Sequence, residues 1–444
     1  PRPGGSLNKI RKTGFGIKAV LKFIFLSLER LDIRYFKPAI IGEYSNWFRK
    51  LYLFGHCLDF YNHKFYDKKK SIDSTTRERI KDVCENVFVT NVHEIITTLS
   101  EQQSKQCAKL FSQWIVHVLP LSIIEGVNER FRYYQKLLKN WTPKQVHAFT
   151  GYYYNDNFKV FAILAKRKGA KLIGHAHGTN NYLSLFYKGA NELYFVDYYT
   201  TYGLNKVGVN LINPGTENVK FIPTGSTAFK SVPKWNKGFI SSEQISMLYP
   251  SGPLMDFMSD LQEISPEKNL AHRLQVSVFL NQLLKKYDRL KIFYKPFPGT
   301  FTNDPIKEYC SDYLDTSRVE LIDIAPLKFY NHVDLILWDS ISTGFCECVA
   351  AGVPVIVFNS RYEYEQTSPR GRLVNDALTE TGVQCFDVDS AINSFESIVH
   401  HLDRHKKQTK PSIKMFKDDL ASPVSRREWH QRFRQGINKS KGLT

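Results

Sequence analysis

The sequence predicts an α/β protein made of two consecutive halves, each with a parallel sheet, behind a largely helical leading region. Three observations carry this. From residue 145 short apolar segments alternate with helical ones, the rhythm of βαβ units. The alternation halts at SVPKWNKG, residues 231–238, and resumes beyond it, so that Pro/Gly-bearing stretch reads as the domain linker. Before residue 140 the alternation is missing, and residues 15–140 read mostly as helix.

In the leading region, GFGIKAVLKFIFLSL, residues 14–28, is interrupted by Lys18 and Lys22. It falls short of the roughly 20 apolar residues a bilayer span needs. It reads as a basic amphipathic helix, suited either to packing on its own domain or to docking on an anionic membrane face. LFSQWIVHVLPLSIIEGVNERFRYYQKLLKNW keeps helical spacing with a break at Pro120. The opening PRPGGS has no methionine and is set aside as a cloning remnant.

VHAFTG is then a short strand, and DNFKVFAILAKRKG a helix stopped by glycine. KLIGHA is the next strand, with ELYFVDYYTTYG and VKFIPTGS as further strand-and-loop pieces. Past the linker, ISMLYPSGP is a strand running into a loop, HRLQVSVFLNQLLKKY a helix, and LKIFYKPFPGT a strand plus loop. VELIDI, VDLILWD and PVIVF are strands, with FCECVAAG as the helix between the last two. AINSFESIVHHLDRH is a late helix, and MFKDDLASPVSRREWHQRFRQG turns helical after its proline. The expected division is therefore 1–235 (helical region 1–140, Rossmann-like part 141–235), 236–415 as a second Rossmann-like domain, and a helical tail, 416–444.

Lys and Arg number 61 against 43 Asp and Glu, a formal charge of +18. That calls for an anionic partner: a membrane face, an anionic substrate or nucleic acid. The basic residues are spread through the chain and no nucleic-acid motif is visible, so a nucleic-acid-binding protein is the minor alternative. The seven cysteines are scattered and form no CxxC pair, which disfavours a zinc ribbon or a disulfide scaffold and points to a reducing, cytoplasmic setting.

Open parallel sheets bind ligands beyond the carboxyl ends of their strands. Five such tips carry polar chemistry: Gly151 to Asp156, His175 to Asn181, Ser251-Gly252-Pro253, Lys295-Pro296, and Asp339 to Thr343. WDSISTGFCECVAAGVPVIVF is the most specific stretch. Ser340, Ser342 and Thr343 open a helix whose free N–H groups suit a phosphate, and Glu347 follows one turn later, placed for a ribose hydroxyl. Plain N-cap chemistry is the competing reading. Lys295 adds a cation for phosphate, or is a solvated lysine. GxxxxGK[ST] is absent, and so is GxGxxG after a strand, which disfavours a P-loop or dinucleotide site. Asp156 and Glu125 are paired carboxylates suited to chemistry at an anomeric carbon. Alternatively, Asp156 is an N-cap and Glu125 pairs with Arg130 or Arg132. His175 and His177 suit a metal or a structural role, and no third metal ligand is marked by spacing.

FTGYYYNDNFKVFAILAKRKGAKLIGHAHGTNNY, then ANELYFVDYYTTYG, then DSISTGFCECVAAGVPVIVF resemble the retaining β-Kdo glycosyltransferases of bacterial O-antigen, lipopolysaccharide and capsule synthesis and related surface-carbohydrate transferases. The likeness covers residues 105–390 discontinuously. It implies a GT-B fold, two Rossmann-like domains facing a cleft, and a CMP-activated ulosonic acid donor without metal or other cofactor. It implies retention through a covalent adduct on Asp156, with Glu125 as acid/base and His177 beside the sugar. Ser342, Thr343 and Glu347 fall on its donor-binding helix. The donor-binding set is completed by Lys295, Pro296, Ser340, Ser251, Gly252, His175 and Asn180. Ala176 stands where such proteins commonly carry glutamine, and Thr179 replaces a glycine, so a different CMP-ulosonic acid, such as a nonulosonate, fits as well. The implied acceptor is a lipid-linked glycan at the cytoplasmic face of an anionic membrane. A GT-B enzyme with another donor, an inverting sialyltransferase-like or polyol-phosphate transferase, is the enzymatic alternative.

Overall fold

The structure is a computed structural model. It describes residues 38–40, 56–57, 72–95, 100–118, 126–140, 143–149, 151–176, 178, 190–204, 218–238, 240, 243–252, 265–297 and 317–439. Glu125, His177, Asn180 and the 14–28 stretch lie outside the described residues.

The first half runs β1 (Pro38–Ile40), β2 (His56–Cys57), α1 (Ser74–Ile95), α2 (Glu101–Val118), α3 (Val127–Asn140), β3 (Gln145–Ala148), α4 (Gly151–Tyr154), α5 (Asp156–Arg167), β4 (Lys171–His175), α6 (Ala190–Leu193), β5 (Tyr198–Thr201), β6 (Lys220–Pro223) and α7 (Thr227–Lys230). The second runs β7 (Ile245–Pro250), α8 (Pro266–Lys286), β8 (Leu290–Lys295), β9 (Val319–Leu321), β10 (Leu335–Trp338), α9 (Thr343–Ala351), β11 (Val355–Phe358), α10 (Arg361–Glu365), α11 (Pro369–Glu380), β12 (Gln384–Cys385), α12 (Val388–Leu420) and α13 (Arg426–Lys439).

Each half holds a six-stranded sheet with all neighbours parallel, ordered β2-β1-β3-β4-β5-β6 and β12-β11-β10-β7-β8-β9. This is the GT-B pairing of two Rossmann-like sheets. The strands of the second sheet explain themselves. ISMLYP, LILW and VIVF are buried at every position, as strands covered by helices on both faces must be. The helices start on their own caps. Ser265 with Pro266 opens α8, Ser368 with Pro369 opens α11, and the Asp387 carboxylate accepts from the Ser390 N–H to open α12. At α5 the cap is Asn155, whose side chain accepts from the Phe158 N–H at 3.0 Å, so Asp156 is the first helical residue and not the cap.

Among the described residues the leading region is mostly helical, in α1, α2 and α3, and it also carries β1 and β2, which join the first sheet beside β3. The tail packs back on the first half. α12 carries the chain back across the molecule, kinking at His401, and α13 lies on β6. Val424, Trp429 and Phe433 form one core patch with Ile173, Tyr198 and Ile222 of the first sheet. Gly436 packs so close to Ile222 that a Cβ there would stand 2.5 Å from it. A larger core runs through both halves, joining Phe161 and Tyr199 to Ile336, Phe345 and Val357, with Phe416 and Leu420 of α12 between them.

Candidate functional site

In the second sheet β7 lies between β8 and β10, and the chain order reverses direction there. Such a switch point opens a crevice beyond the strand ends. Six elements converge on it. The Gly252 N–H, just past β7, donates to Asp339 Oδ1 at 3.1 Å and to Oδ2 at 2.8 Å. Asp339, just past β10, is 4% exposed and also takes the Tyr249 hydroxyl at 3.1 Å and the Arg273 guanidinium from α8. Arg273 Nη2 donates to the Gly252 carbonyl at 2.6 Å. Next to it, His272 Nε2 donates to the Asp339 carbonyl at 3.2 Å. Glu363 of α10 faces the same cluster, and burial together with the Asp339 charge pushes its carboxyl up to about 7.

The start of α9 forms one wall. Ser342 is its cap residue by position, yet its hydroxyl makes no capping bond and is buried without a partner. The first N–H groups of a helix have no intrahelical acceptor, so this end offers donors to an anion. Trp338 covers Gly344 so closely that a Cβ there would sit 2.2 Å from the indole, which only glycine permits. Glu347 is half-buried and accepts from the Tyr330 hydroxyl at 3.4 Å. Burial raises its carboxyl to about 7. On the other side Ser251 Oγ accepts from the Phe297 N–H at 3.2 Å, which folds the Lys295-Pro296-Phe297 turn over the strand ends. Lys295 Nζ is 3.3 Å from the fully exposed Asp323 carboxylate.

The first half meets this site at its own carboxyl edge. Tyr202, just past β5, lies beside Cys346 of α9, and burial with that thiol nearby raises its hydroxyl well above the usual phenol range. The returning chain is stitched in here. Ser226 N donates to Ser422 O at 2.8 Å, and Ser422 N donates to Tyr202 O at 3.2 Å. Asp156 opens α5, in the segment that follows β3, and β3 is two strand positions from β5 in the sheet order. Its carboxylate pairs with Lys159 at 3.1 Å and stays about one-third exposed.

The model of the LIC12162 family transferases matches residues 34–404, most of the chain. The chain belongs to this family. No curated protein matches it. Solved structures match over long stretches at low identity. An S. aureus MnaA–UDP structure has TM-score 0.46 and 14% identity, covering 74% of this chain and 83% of that one. The UDP-GlcNAc 2-epimerase of Neisseria meningitidis, bound to UDP-GlcNAc, has TM-score 0.43 and 13% identity, with coverages of 70% and 81%. MurG of Acinetobacter baumannii has TM-score 0.41 and 14% identity, with coverages of 71% and 78%. At these values the likenesses carry no chemistry across.

Within this LIC12162 family transferase, the predicted donor residues Ser251, Gly252, Lys295, Pro296, Ser340, Ser342, Thr343 and Glu347 all fall at the carboxyl edge of the second sheet or in the helix that opens there. His175 departs from expectation. It is 2% exposed, its Nε2 is 3.0 Å from His147 Nδ1, and its Nδ1 is 2.8 Å from Thr200 Oγ1. Both nitrogens are engaged inside the protein, which leaves none for a donor anion or a metal. Burial, reinforced by His147, lowers its proton affinity, so it is a neutral core group. Among the described residues no three His, Cys, Asp or Glu side chains cluster as a metal site would require. Sequence reasoning missed His272, Arg273, Tyr249, Tyr330 and Glu363. The only signal was two cationic residues set side by side in the HRLQVSVFL helix.

Proposed function

We propose that this transferase is a glycosyltransferase that moves a sugar from a nucleotide-activated donor to a glycan acceptor, with a CMP-activated ulosonic acid (Kdo or a related nonulosonate) as donor. One observation carries the reading. The Ser342 hydroxyl at the start of α9 has no partner, and Asp339, three residues before it, ties the Gly252 loop and Arg273 to the same strand end. That is a cradle for a phosphate. A CMP-ulosonate carries a phosphate and a carboxylate, and N–H groups with Lys295 answer both without a metal.

In this reading Asp156 attacks the anomeric carbon, forming a glycosyl ester as CMP leaves. Glu125 then deprotonates the acceptor hydroxyl, which displaces Asp156, and two inversions give net retention. His177 contacts the donor sugar. The acceptor is a lipid-linked glycan at an anionic membrane face. Among the described residues no helix is long and apolar enough to cross a membrane.

The test offers CMP- and UDP-activated sugars and follows nucleotide release, with NMR fixing the anomeric configuration of the product. CMP release with retention, persisting in chelator, supports the reading. Asp156→Asn abolishes transfer and leaves CMP binding intact. Turnover of UDP-sugars alone overturns the donor assignment, and near wild-type turnover by the Asn variant overturns the nucleophile.

A further inference from the structure

α9 begins at the donor loops and ends at Ala351, on the opposite edge of the second sheet, where β11 starts at Val355. α12 crosses these far ends and leaves a pocket of about 380 Å³. That lies within the roughly 300–1,000 Å³ of ordinary ligand sites. Its floor is apolar, made by Val349, Val353, Pro354, Val355, Val383 and Ile413.

Its rim is cationic. Lys406, Lys410, Lys414 and Lys417 line it, spaced to share one face of α12. Asp418 is the one acid lining the pocket, and Lys414 already holds it at 2.5 Å. His405 is neutral there, its imidazole lowered to about 4 by burial. Lys417 is crowded. Burial and the nearby Lys234 charge both lower its proton affinity, a repulsion that a bound anion relieves. The α9 carbonyls that would repel an anion are already covered. Ala350 O accepts from Lys234 Nζ, and Ala351 O from the Trp235 N–H at 3.0 Å. The Lys406 ammonium sits 4.6 Å from the centre of the Trp235 ring.

An apolar floor takes hydrocarbon and a lysine rim takes phosphate. Free nucleotide or nucleic acid would use an open aromatic platform, and the Trp235 face is occupied by Lys406. We propose that this pocket seats the phosphate headgroup of an anionic membrane lipid, with the first part of its acyl chains on the apolar floor. The pocket would then hold the second half to the bilayer by the edge opposite the donor loops. This bears on the membrane part of the reading above and is independent of the donor chemistry.

The experiment pellets the full chain with phosphatidylcholine vesicles, alone or mixed with phosphatidylglycerol, and follows tryptophan emission. Wild type binds only the anionic vesicles, with an emission change that Trp235→Phe removes. Lys406→Glu with Lys410→Glu, both exposed, weakens that binding at least about tenfold, given the attraction each basic residue contributes near an anionic surface. Arg404→Glu with Lys407→Glu makes the same charge change on α12 outside the pocket and binds like wild type. Equal loss in the two pairs shows diffuse surface charge and overturns the proposal. So does saturation of the Trp235 signal by inorganic phosphate without vesicle binding. Nucleotide release by the same variants stays at the wild-type rate, so this proposal and the donor reading fail separately.

Discussion

The Gly252 N–H donates to both carboxylate oxygens of Asp339, tying the end of β7 to the end of β10 where the sheet reverses its order. No Cβ fits at that contact, since one on Gly252 would stand 2.9 Å from Asp339 Oδ1. The crevice that the fold places here is therefore held open by a charge pair, Asp339 with Arg273, and by a backbone that only glycine lets approach.

Breaking that pair separates stability from binding. Asp339→Ala leaves the Arg273 guanidinium, 4% exposed, without its counter-charge. Losing one partner of a buried pair costs about 3–5 kcal/mol. Asp339→Leu with Arg273→Met restores much of that loss, because the uncompensated charge is gone. Donor affinity stays low in both variants, because the Gly252 loop has lost its acceptor. Urea unfolding and nucleotide calorimetry on the same samples check this. Recovery of affinity along with stability would show that the pair does not shape the crevice.

Ser342→Ala with Thr343→Ala should move the two quantities in opposite directions. The Ser342 hydroxyl is buried without a partner, so removing it relieves a desolvation cost, and Thr343 is exposed. Folding stability holds or rises by up to about 1 kcal/mol, while affinity for CMP falls about tenfold, the worth of one hydrogen bond to a charged group. Unchanged affinity would return Ser342 to an ordinary helix start.

The second half was the legible one. Its strands LILW and VIVF are uninterrupted apolar runs and its loops carry Lys295, Ser340, Ser342 and Thr343 on the strand ends, so local pattern and site coincide. β1 and β2, three and two residues long, are too short to show alternation and are strands through pairing, β1 with β3 and β2 with β1. In YNDNFK, Asn155 and Asp156 are equally good caps by type, and the extended backbone at Asn155 decides between them. The burial of His175 depends on Trp429, some 250 residues away in sequence and 6.1 Å away in space, a contact no local pattern announces.

Glu347 makes stability depend on pH. Burial holds its folded carboxyl at about 7, above the ordinary 4.5. Between those values the folded protein holds more proton than the unfolded chain, so the stability this group contributes is present at low pH and lost as pH rises through about 7. Glu347→Gln is then more stable than wild type near pH 8 and equal to it near pH 4, by order 1 kcal/mol at the alkaline end. If Glu347 accepts a ribose hydroxyl as a carboxylate, wild-type affinity rises across pH 7 and the Gln variant loses that rise. A wild-type-minus-variant stability difference that stays flat with pH would remove Glu347 from the crevice wall.

The buried histidine pair acts with the opposite sign. Burial lowers His147 from 6.5 to about 3, and lowers His175 well below 6.5 with help from His147. In that window the unfolded chain binds more protons than the folded one, so stability falls as pH drops below about 6.5, by a few kcal/mol in all. His175→Gln shallows this acid slope relative to wild type. Histidine NMR should show neither ring titrating between about pH 5 and 8 in the native protein. A midpoint near 6.5 for either ring would contradict their burial.

Trp429 helps to cover the His175 ring, with Phe149 beside it and Phe433 against His147. It is 2% exposed, its ring centre lies 5.1 Å from that of Phe433 one turn on, and both press on Ile173, Tyr198 and Ile222. Removing such a side chain costs about 3–5 kcal/mol through lost burial and the cavity left behind. Trp429→Ala therefore destabilises by that amount and also admits water to His175, so its ring begins to titrate toward its ordinary value of about 6.5. The acid slope of stability then starts at higher pH than in wild type. Because β4 leads directly into the loop after His175, the variant lowers transfer while leaving nucleotide affinity at the second sheet unchanged. A Trp429→Ala protein with wild-type unfolding and silent histidines would mean that α13 merely rests on the first sheet, and that the returning tail does not complete its core.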